Sequence, residues 1–453
     1  MAKIGLEIHG YLNTKEKLFC KCKAMHGKKY IKPNTSICPI CTSQPGAKPM
    51  LPNKGAINKA IQICLILKCI INPKFVWQRK HYDWPDLPKG YQNTISGTYA
   101  IPIGEKGKFL GARITEAHLE EDPASWNPQT GEIDYNKSGY PLIEIVTEPD
   151  FTSSEEVIIW LKQLIETLKY IKIIDKTLGI KVDVNVSIKN GKRVEMKNIN
   201  SLRNIKTAID YEIQRQKKPG ELPTIQETRM FDENKRITIK MRTKELAEDY
   251  RFISEPDLPV IKLEKLRIEK IKKSLPETPR EKIKKLIKKY KIKKKYAEIL
   301  TKKLEIVEFF EKIIGNVNPK LAVRWVTEEL LRILNYSKKE IDEIDIKPEH
   351  FIELLKLIEN KKITELKAKE ILNQFIPESF SLKQEIKKHS KISSEKEIGK
   401  IAEKVIRENK KPVQDYKKGK KEALNFLLGQ VMRQSKKRAD FKTSKEILEN
   451  LLK

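Results

Sequence analysis

At Pro259 the hydrophobic pattern of the chain changes period, and this change says more about the fold than any single motif. Ahead of it, short apolar-alternating runs bounded by turn formers are interleaved with amphipathic stretches. Beyond it, from Lys262 to about Gln374, Lys, Ile, Leu and Glu recur at helical spacing with hardly any strand signal. At 453 residues the chain exceeds what one core of common size encloses. The pattern predicts an α+β protein: a large mixed α/β domain over residues 1–261, an all-α helical domain with a polar connector over 262–391, and a small helical tail domain over 392–453.

Alternation places individual side chains in the first domain. Ile4–Leu12 reads as a strand on which Glu7 and His9 share a face. Lys181–Ile188 alternates strictly, with Val182, Val184, Val186 and Ile188 on one face and Asp183, Asn185 and Ser187 on the other. Asn190-Gly191 turns it back into Lys192–Asn198, where Glu195 and Lys197 share a face, and residues 226–242 predict a second hairpin around Asp232–Lys235. Helices are expected over Lys54–Leu67, after a capping box of Ser153 and Glu156, and over Asn200–Gln216. Residues 79–92, RKHYDWPDLPKGYQ, read as a surface loop. Its Lys80, Lys89 and Tyr91 offer cations and an aromatic face to phosphates and a purine, or the segment simply connects two elements.

Charge narrows the partners. A net charge of +31 works against compactness by self-repulsion and points to a polyanion that offsets it, nucleic acid before a membrane surface. No apolar stretch approaches the roughly 20 residues of a spanning helix, and Ile61–Ile71 is interrupted by Lys68. The opening MAKIGLEIHG lacks the basic-then-apolar pattern of a secretory signal, so the expected compartment is the cytoplasm. In that reducing setting Cys20-x-Cys22 and Cys38-x-x-Cys41 read as four thiolates around a structural zinc ion, with unliganded thiols as the alternative. Cys64 and Cys69 lie in an apolar run and read as small core residues.

Against this basic background, Glu116–Asp150 gathers His118, Glu120, Glu121, Asp122, Glu144, Glu148 and Asp150. Such a set either holds a hard divalent cation, which takes oxygen ligands and bridges carboxylates to phosphates, or is a surface salt-bridged by the chain's own lysines. Phosphate loops of the G-x-x-x-x-G-K-[ST] and G-x-G-x-x-G kinds are absent from the sequence, and no Ser-His-Asp or His-Cys constellation suggests itself for hydrolysis. An active site in this chain is therefore to be built from carboxylates, amides and a metal.

The segments GLEIHGYLNTKEKLFC, CPICTSQPGAKP, DWPDLPKGYQ, HLEEDP, DYNKSGYPLIEIVTEPD, DVNVSI, EMKNINS, QETRMFD, DYRFISEPDLP and DYKKGKKEALNFLLGQVMRQSKK follow one another from residue 5 to about residue 440. In that order they resemble the signature segments of the B subunit of tRNA-dependent amidotransferases. The resemblance implies a cradle domain, a helical domain and a tail domain. It also implies an enzyme that converts Glu-tRNA(Gln) and Asp-tRNA(Asn) into Gln-tRNA and Asn-tRNA: ATP phosphorylates the side-chain carboxylate, and ammonia then displaces phosphate. The ammonia would come from a glutaminase, the A subunit of the complex, with the small C subunit holding the two together. The chain leaves no room for the domain that a related archaeal subunit inserts before its helical region, so the resemblance is to the three-subunit type.

By the same resemblance Mg²⁺ goes to His9, Glu120 and Glu144, with Glu7, Glu121 and Glu148 around them. Phosphate contacts go to Lys80 and Lys89, with Tyr91 and Asn185 beside the nucleotide, and Asp183, Lys197, Asn198 and Asn200 line the same basin. Lys418, Lys420, Gly429, Gln430 and Lys436 would grip the outer body of the tRNA, and zinc at Cys20, Cys22, Cys38 and Cys41 would be structural. Two segments depart from the usual pattern: GIKVDVNVS stands where many relatives have Arg-Cys-Asp-Ala-Asn, which passes any role of that Arg to Lys181, and EMKNINSL replaces ELKNLNSF. The competing reading is a non-catalytic zinc-containing RNA-binding protein, for which charge and cysteines would suffice. Such a protein gains nothing from carboxylates gathered beside His9.

Overall fold

In the computed structural model the chain divides into two compact units, Met1–Thr278 and Pro279–Lys453. The structure describes all residues except 26–30, 176–178, 244–250, 384–389, 393 and 453, and the side chains of Asn198, Arg242 and Thr243 are outside the described set.

The strands of the first unit are β1 (Lys3–Tyr11), β2 (Ile70–Ile71), β3 (Lys74–Phe75), β4 (Gln78–His81), β5 (Tyr91–Thr94), β6 (Gly104–Phe109), β7 (Ala112–Glu121), β8 (Ser125–Trp126), β9 (Ile133–Asp134), β10 (Pro141–Thr147), β11 (Ile180–Ser187), β12 (Val194–Ile199), β13 (Glu227–Asp232), β14 (Ile237–Thr243), β15 (Arg251–Ser254) and β16 (Ile261–Lys262). Two short pairs, β3 with β16 and β8 with β9, stand apart; the rest form one sheet in the order β14-β13-β12-β11-β1-β10-β7-β5-β4-β15, with β6 also on β7 and β2 on β6. Neighbours are antiparallel except β12 and β13, which run parallel.

Period-2 alternation makes the two faces of this sheet chemically different. On one face Leu6, Ile8, Ala117, Leu119, Ile143, Ile145, Val182, Val184 and Val186 are at most 1% exposed. Burying each of the larger ones is worth about 1.5–3 kcal/mol. Helices α1 (Lys54–Ile66) and α3 (Leu202–Lys217) pack on β7 and β11, and α2 (Ser154–Tyr170) packs on α3. The intervening residues Glu7, His9, His118, Glu120, Glu144 and Asp183 therefore turn to the opposite face.

Local chemistry starts the helices where the sequence indicates. Asn53 accepts from the amides of Gly55 and Ala56 ahead of α1, and Ser201 accepts from that of Asn204 ahead of α3. Ser153 accepts from the Glu156 amide as expected, but the Glu156 carboxylate turns to Thr152, accepting from its amide at 2.8 Å and its hydroxyl at 2.9 Å. The reciprocal half of the capping box is thus displaced one residue outward.

The two hairpins form in the expected places, with Asn185 opposite Glu195 and Met230 opposite Ile239. Asn190 sits at φ 67°, a conformation that Asn tolerates better than most residues. Residues 79–92 differ from the expectation of a loop. Their ends are paired strands, with Arg79 opposite Asn93 and His81 opposite Tyr91, and only the turn formers between them make the connection. Helix α4 (Lys265–Ser274), although it follows Pro259, packs back on α1, where the Arg267 guanidinium donates to Asn58 Oδ1 at 2.7 Å.

The second unit is helical. Its helices are α5 (Pro279–Tyr290), α6 (Lys294–Leu300), α7 (Leu304–Ile314) and α8 (Pro319–Arg324), which runs through a π-helical turn at Trp325–Leu330 into α9 (Leu331–Ser337), then α10 (Pro348–Glu359) and α11 (Glu365–Gln374). The tail follows as α12 (Glu395–Glu408), α13 (Lys410–Lys417), α14 (Glu422–Gln434) and α15 (Phe441–Leu452), closed around Ile398, Ala402, Leu427, Val431 and Leu448. Lys437 of the tail pairs with Glu370 of α11 at 3.4 Å. Among the described residues no helix is long and apolar enough to cross a membrane.

Candidate functional site

Register on the polar face sets His9 of β1 opposite Glu144 of β10, and Glu144 opposite His118 of β7. Antiparallel partners project to the same side, so these three stand in a row across the sheet, with Glu120 two residues beyond His118 on the same face. His9 Nδ1 lies 3.3 Å from Glu120 Oε1 and 3.8 Å from Glu144 Oε2. One donor atom from each of His9, Glu120 and Glu144 falls within 4.8 Å of the others. An imidazole and two carboxylates at this spacing suit a six-coordinate divalent cation that keeps waters in its remaining positions. Behind them His118 is 2% exposed, with Nε2 3.1 Å from Glu144 Oε2 and Nδ1 3.0 Å from Glu116 Oε1.

The charges are mutually dependent. Burial alone would lower the pKa of His9, but the carboxylates of Glu144 and Glu120 outweigh it and raise it to about 9. His118 is raised to about 10 in the same way, by Glu144 and Glu116 against burial. Burial pushes Glu144 up, and the two imidazoles more than reverse this, holding it below the usual carboxylate range. Without a cation the row thus sets an ionised Glu144 against two imidazolium rings; a divalent ion at His9 would take the place of a proton.

The same face continues onto β11 and β12. Glu7 pairs in register with Asp183, and Asn185 Nδ2 donates to Glu7 Oε1 at 3.0 Å. Lys197 Nζ donates to Asp183 Oδ2 at 2.7 Å and pairs with Glu195. Glu7, Asp183 and Glu195 also converge within 4.8 Å, but their cation is the chain's own lysine. Burial opposes the charge on Lys197, and Asp183 and Glu195 outweigh that, holding it well above the ordinary lysine range. Burial raises Glu7. His9 Nε2, 3.9 Å from Asp183 Oδ2, joins the two groups.

Not every residue expected here arrives. Lys80, opposite Gln92 and in phase with Thr94 and Glu120, shares the acidic face, and its charge helps to hold Glu144 ionised. Glu121 follows Glu120 in a strand and so points to the other face, where it pairs with Lys89 and accepts from the Asn93 amide at 2.9 Å. Tyr91 lies there too, with the Arg79 guanidinium 4.4 Å from its ring centroid. Glu148 follows a bulge between Val146 and Thr147 and accepts from the Thr115 hydroxyl at 2.8 Å, next to Asp150, which pairs with Arg113. Asn200 is exposed ahead of α3, and the Asn198 side chain lies outside the described residues. Glu116 and Glu195, to which the sequence alone assigns no role, belong to the face; their signal is the two-residue spacing to His118 and Lys197.

The cysteines gather as their spacing predicts. Donor atoms of Cys20, Cys22, Cys38 and Cys41 lie within 4.8 Å of one another, and the Cys38 and Cys41 sulfurs are 3.9 Å apart. A tetrahedron with Zn–S bonds of about 2.3 Å has edges of about 3.8 Å. Lys17, 1% exposed, brings its ammonium 3.4 Å from Cys41 Sγ and 3.2 Å from the Tyr135 carbonyl. A buried ammonium requires an anion, and the Cys41 sulfur meets that need as thiolate. Its pKa is lowered to about 4, chiefly by the hydrogen bond from Cys20 and then by Lys17. The donor set and its charge balance fit zinc.

In the tail, Lys418 and Lys420 occupy the turn between α13 and α14, where Gly419 takes φ +93° and Lys420 pairs with Asp415 at 3.1 Å. Gly429 is exposed and Gln430 half-buried on α14, and Lys436 is exposed just past its end.

Comparison with known proteins agrees with this architecture. The GatB/GatE catalytic domain family matches residues 2–269, and the GatB domain family matches residues 308–452. The chain is 43% identical to the B subunit of the aspartyl/glutamyl-tRNA(Asn/Gln) amidotransferase of Methanothermobacter thermautotrophicus, over 98% of this chain and 99% of the relative. It is 42% identical to the protein of the same name from Methanocaldococcus jannaschii and 41% to that from Methanopyrus kandleri, each match covering 99% of this chain and 98% of the relative. By this full-length likeness and by the two domain families in their order, the chain belongs to the GatB family, the B subunits of aspartyl/glutamyl-tRNA(Asn/Gln) amidotransferases.

Proposed function

We propose that this chain uses ATP to phosphorylate the side-chain carboxylate of Glu-tRNA(Gln), Asp-tRNA(Asn) or both, and amidates the product with ammonia from a partner amidase. The observation that carries the reading is the meeting of His9, Glu120 and Glu144 on one polar sheet face, in a chain whose net charge is +31. Phosphate binding alone calls for cations. Ionised carboxylates held at one point in such a chain make sense when they hold a divalent ion against a nucleotide.

The chemistry asks for this balance. In the first step a carboxylate oxygen attacks the γ-phosphorus of ATP and ADP leaves, so both reactants are anions and the barrier is dominated by their repulsion. A divalent cation, Mg²⁺ with Mn²⁺ as a substitute, supplies charge neutralisation at the transferring oxygens when bound by His9, Glu120 and Glu144. Lys80 adds a cation on the same face. Asn185 and Lys197 hold Glu7 and Asp183 in fixed orientations, which leaves Glu7, raised by burial, suited to receive a proton. In the second step ammonia attacks the carbonyl carbon of the acyl phosphate, phosphate leaves, and Glu7 takes the proton shed by nitrogen.

The remaining assignments follow. Residues 1–261 form the cradle, to which α4 is added by its packing on α1; the helical domain then runs to residue 391, and 392–453 form the tail that grips the tRNA backbone. The four thiolates hold a closed, structural zinc site without an open position for chemistry. Two partners complete a cytoplasmic assembly, a glutaminase (the A subunit) and a small clasp (the C subunit), so this chain alone should show no glutaminase activity. The test is Glu120→Gln and Glu144→Gln in the assembled complex. Each should abolish ATP-dependent amidation with ammonia while tRNA affinity stays within about twofold, as expected for carboxylates away from the phosphate contacts. Parallel loss of amidation and tRNA binding would instead favour a non-catalytic RNA-binding protein.

A further inference from the structure

We infer that His118 is a positioning residue: it fixes the Glu144 carboxylate in the orientation in which that group ligates a divalent cation, and Glu116 with Ser96 fixes His118 in turn. The inference rests on the reading of His9, Glu120 and Glu144 as cation ligands.

A glutamate on an open sheet face has a broad terminal torsion, so its carboxylate plane is free unless something holds it. For Glu144 that partner is His118, whose Nε2 lies 3.1 Å from Oε2. The same Oε2 lies 3.8 Å from His9 Nδ1, so one oxygen, held by His118, faces the cation ligand His9. The imidazole cannot turn aside, because it is 2% exposed within β7 and its Nδ1 faces Glu116 Oε1 at 3.0 Å. That second contact is close but makes no hydrogen bond, so Glu116 acts on the ring by charge and packing while the hydrogen bond goes to Glu144.

Glu116 is itself held. Its Oε1 accepts from the Ser96 hydroxyl, the Ser96 carbonyl accepts from the Gln78 amide, and Gln78 Oε1 accepts from the Tyr99 backbone amide at 2.9 Å. The line of contacts that begins at Glu144 thus runs to the Gln78 side chain on β4 and ends in main chain of the loop after β5. Hydrogen-bonded partners of this kind orient metal ligands, and their loss commonly lowers metal affinity or activity by roughly 10–100-fold.

Two other roles for His118 do not fit. Both ring nitrogens face carboxylates, so neither offers a lone pair to a cation. At 2% exposure the ring does not reach a substrate. A histidine that only filled the core would contribute to folding and leave the affinity for the ion unchanged, and this separates the readings experimentally.

The experiment is a Mn²⁺ titration of the full chain, followed by the electron paramagnetic resonance signal of free Mn²⁺, with thermal unfolding of the metal-free protein measured alongside. His118→Ala should raise the apparent Kd for Mn²⁺ roughly 10–100-fold, and His118→Gln, which keeps one donor, should recover part of the loss. In the assembled complex the half-saturating Mg²⁺ concentration should rise by a like factor, with the rate at saturating Mg²⁺ and the tRNA affinity largely preserved. If the His118 variants do not fold, Glu116→Gln and Ser96→Ala apply the same test from further out and should weaken Mn²⁺ binding less. Unchanged Mn²⁺ affinity in the folded variants, with affinity lost in Glu144→Gln, overturns the role given to His118. Unchanged affinity in Glu144→Gln as well overturns the cation site itself.

Discussion

His9 and Glu120 stand on strands that do not pair, yet His9 Nδ1 lies 3.3 Å from Glu120 Oε1, reaching past the intervening strand that carries Glu144. Each donor comes from its own strand, so one can be changed while the others keep their positions. Imidazole is a softer donor than carboxylate and favours Mn²⁺ over Mg²⁺. Amidation should therefore be supported by Mn²⁺ at lower concentration than by Mg²⁺, and His9→Asn should narrow that preference by about tenfold. Half-saturating concentrations of the two ions, measured for wild type and variant, check this; an unchanged ratio would mean that His9 is not a ligand.

Lys197 pairs with both Asp183 and Glu195, and it is 28% exposed. Losing Lys197 takes one partner from each carboxylate, of which Asp183 also faces His9, at a cost of at most about 3–5 kcal/mol. Lys197→Met should lower stability in urea by up to that amount, and adding Asp183→Asn should restore part of it. Strictly additive losses in the double variant would contradict a shared electrostatic origin.

Lys17 has a specific consequence for the thiolate cluster. Four thiolates around Zn²⁺ carry a net charge of about −2, and the buried Lys17 ammonium offsets part of it at 3.4 Å from Cys41 Sγ. Lys17→Met should keep zinc at first but release it to a competing chelator roughly tenfold faster. Cys38→Ser should lower zinc content outright. Zinc per chain and release rate are both read with a chromogenic chelator, and equal release rates for wild type and Lys17→Met would remove the lysine from the account.

Acid should weaken the tail through Asp440. The hydrogen bond from Lys391, then that of the Thr443 amide, hold its pKa at about 2, against an ordinary value of 3.8. A folded value below the unfolded one contributes stability that is present above pH 3.8 and lost as pH falls toward 2. Both partners are 24% exposed, so screening reduces the contribution to about 1 kcal/mol. Asp440→Asn should be less stable than wild type by that amount at about pH 6, with about half of the difference gone near pH 3. Urea denaturation at the two pH values checks it; a difference that grows on acidification has the wrong sign.

Much of this was legible because one face of the sheet is apolar. In β1 and in the β11–β12 hairpin, Ile and Val alternate with Glu, His, Asp and Asn, so strand and polar face could be read together. In β4 and β5 both faces are polar: Gln78, Lys80 and Gln92 on one side, Arg79, His81 and Tyr91 on the other. Hydrophobic alternation has nothing to mark there, and the strands read as loop. HLEEDP read as a block unites Glu120 with Glu121, whereas a strand must part them. Glu148 is displaced by a bulge that no propensity announces, and the parallel pairing of β12 with β13 arises from tertiary packing.

If the tail grips tRNA as proposed, two kinds of contact can be told apart. Lys418 and Lys436 are exposed at opposite ends of α14, whose 13 residues span about 20 Å. Removing one phosphate contact should make binding less salt-dependent by about 0.7–0.9 in the slope of log K against log salt. Lys418→Ala and Lys436→Ala should each do this, and Lys420→Ala should do less, because Lys420 already pairs with Asp415. Gly429 differs in kind. A Cβ built there meets nothing within 4 Å of this chain, so Gly429→Ala should stabilise α14 by about 0.5–1 kcal/mol through helix propensity. If the tRNA backbone approaches the helix at that point, the same methyl group should weaken binding with the salt slope unchanged. A variant that is more stable and binds tRNA as tightly as wild type would place the contact elsewhere on the tail.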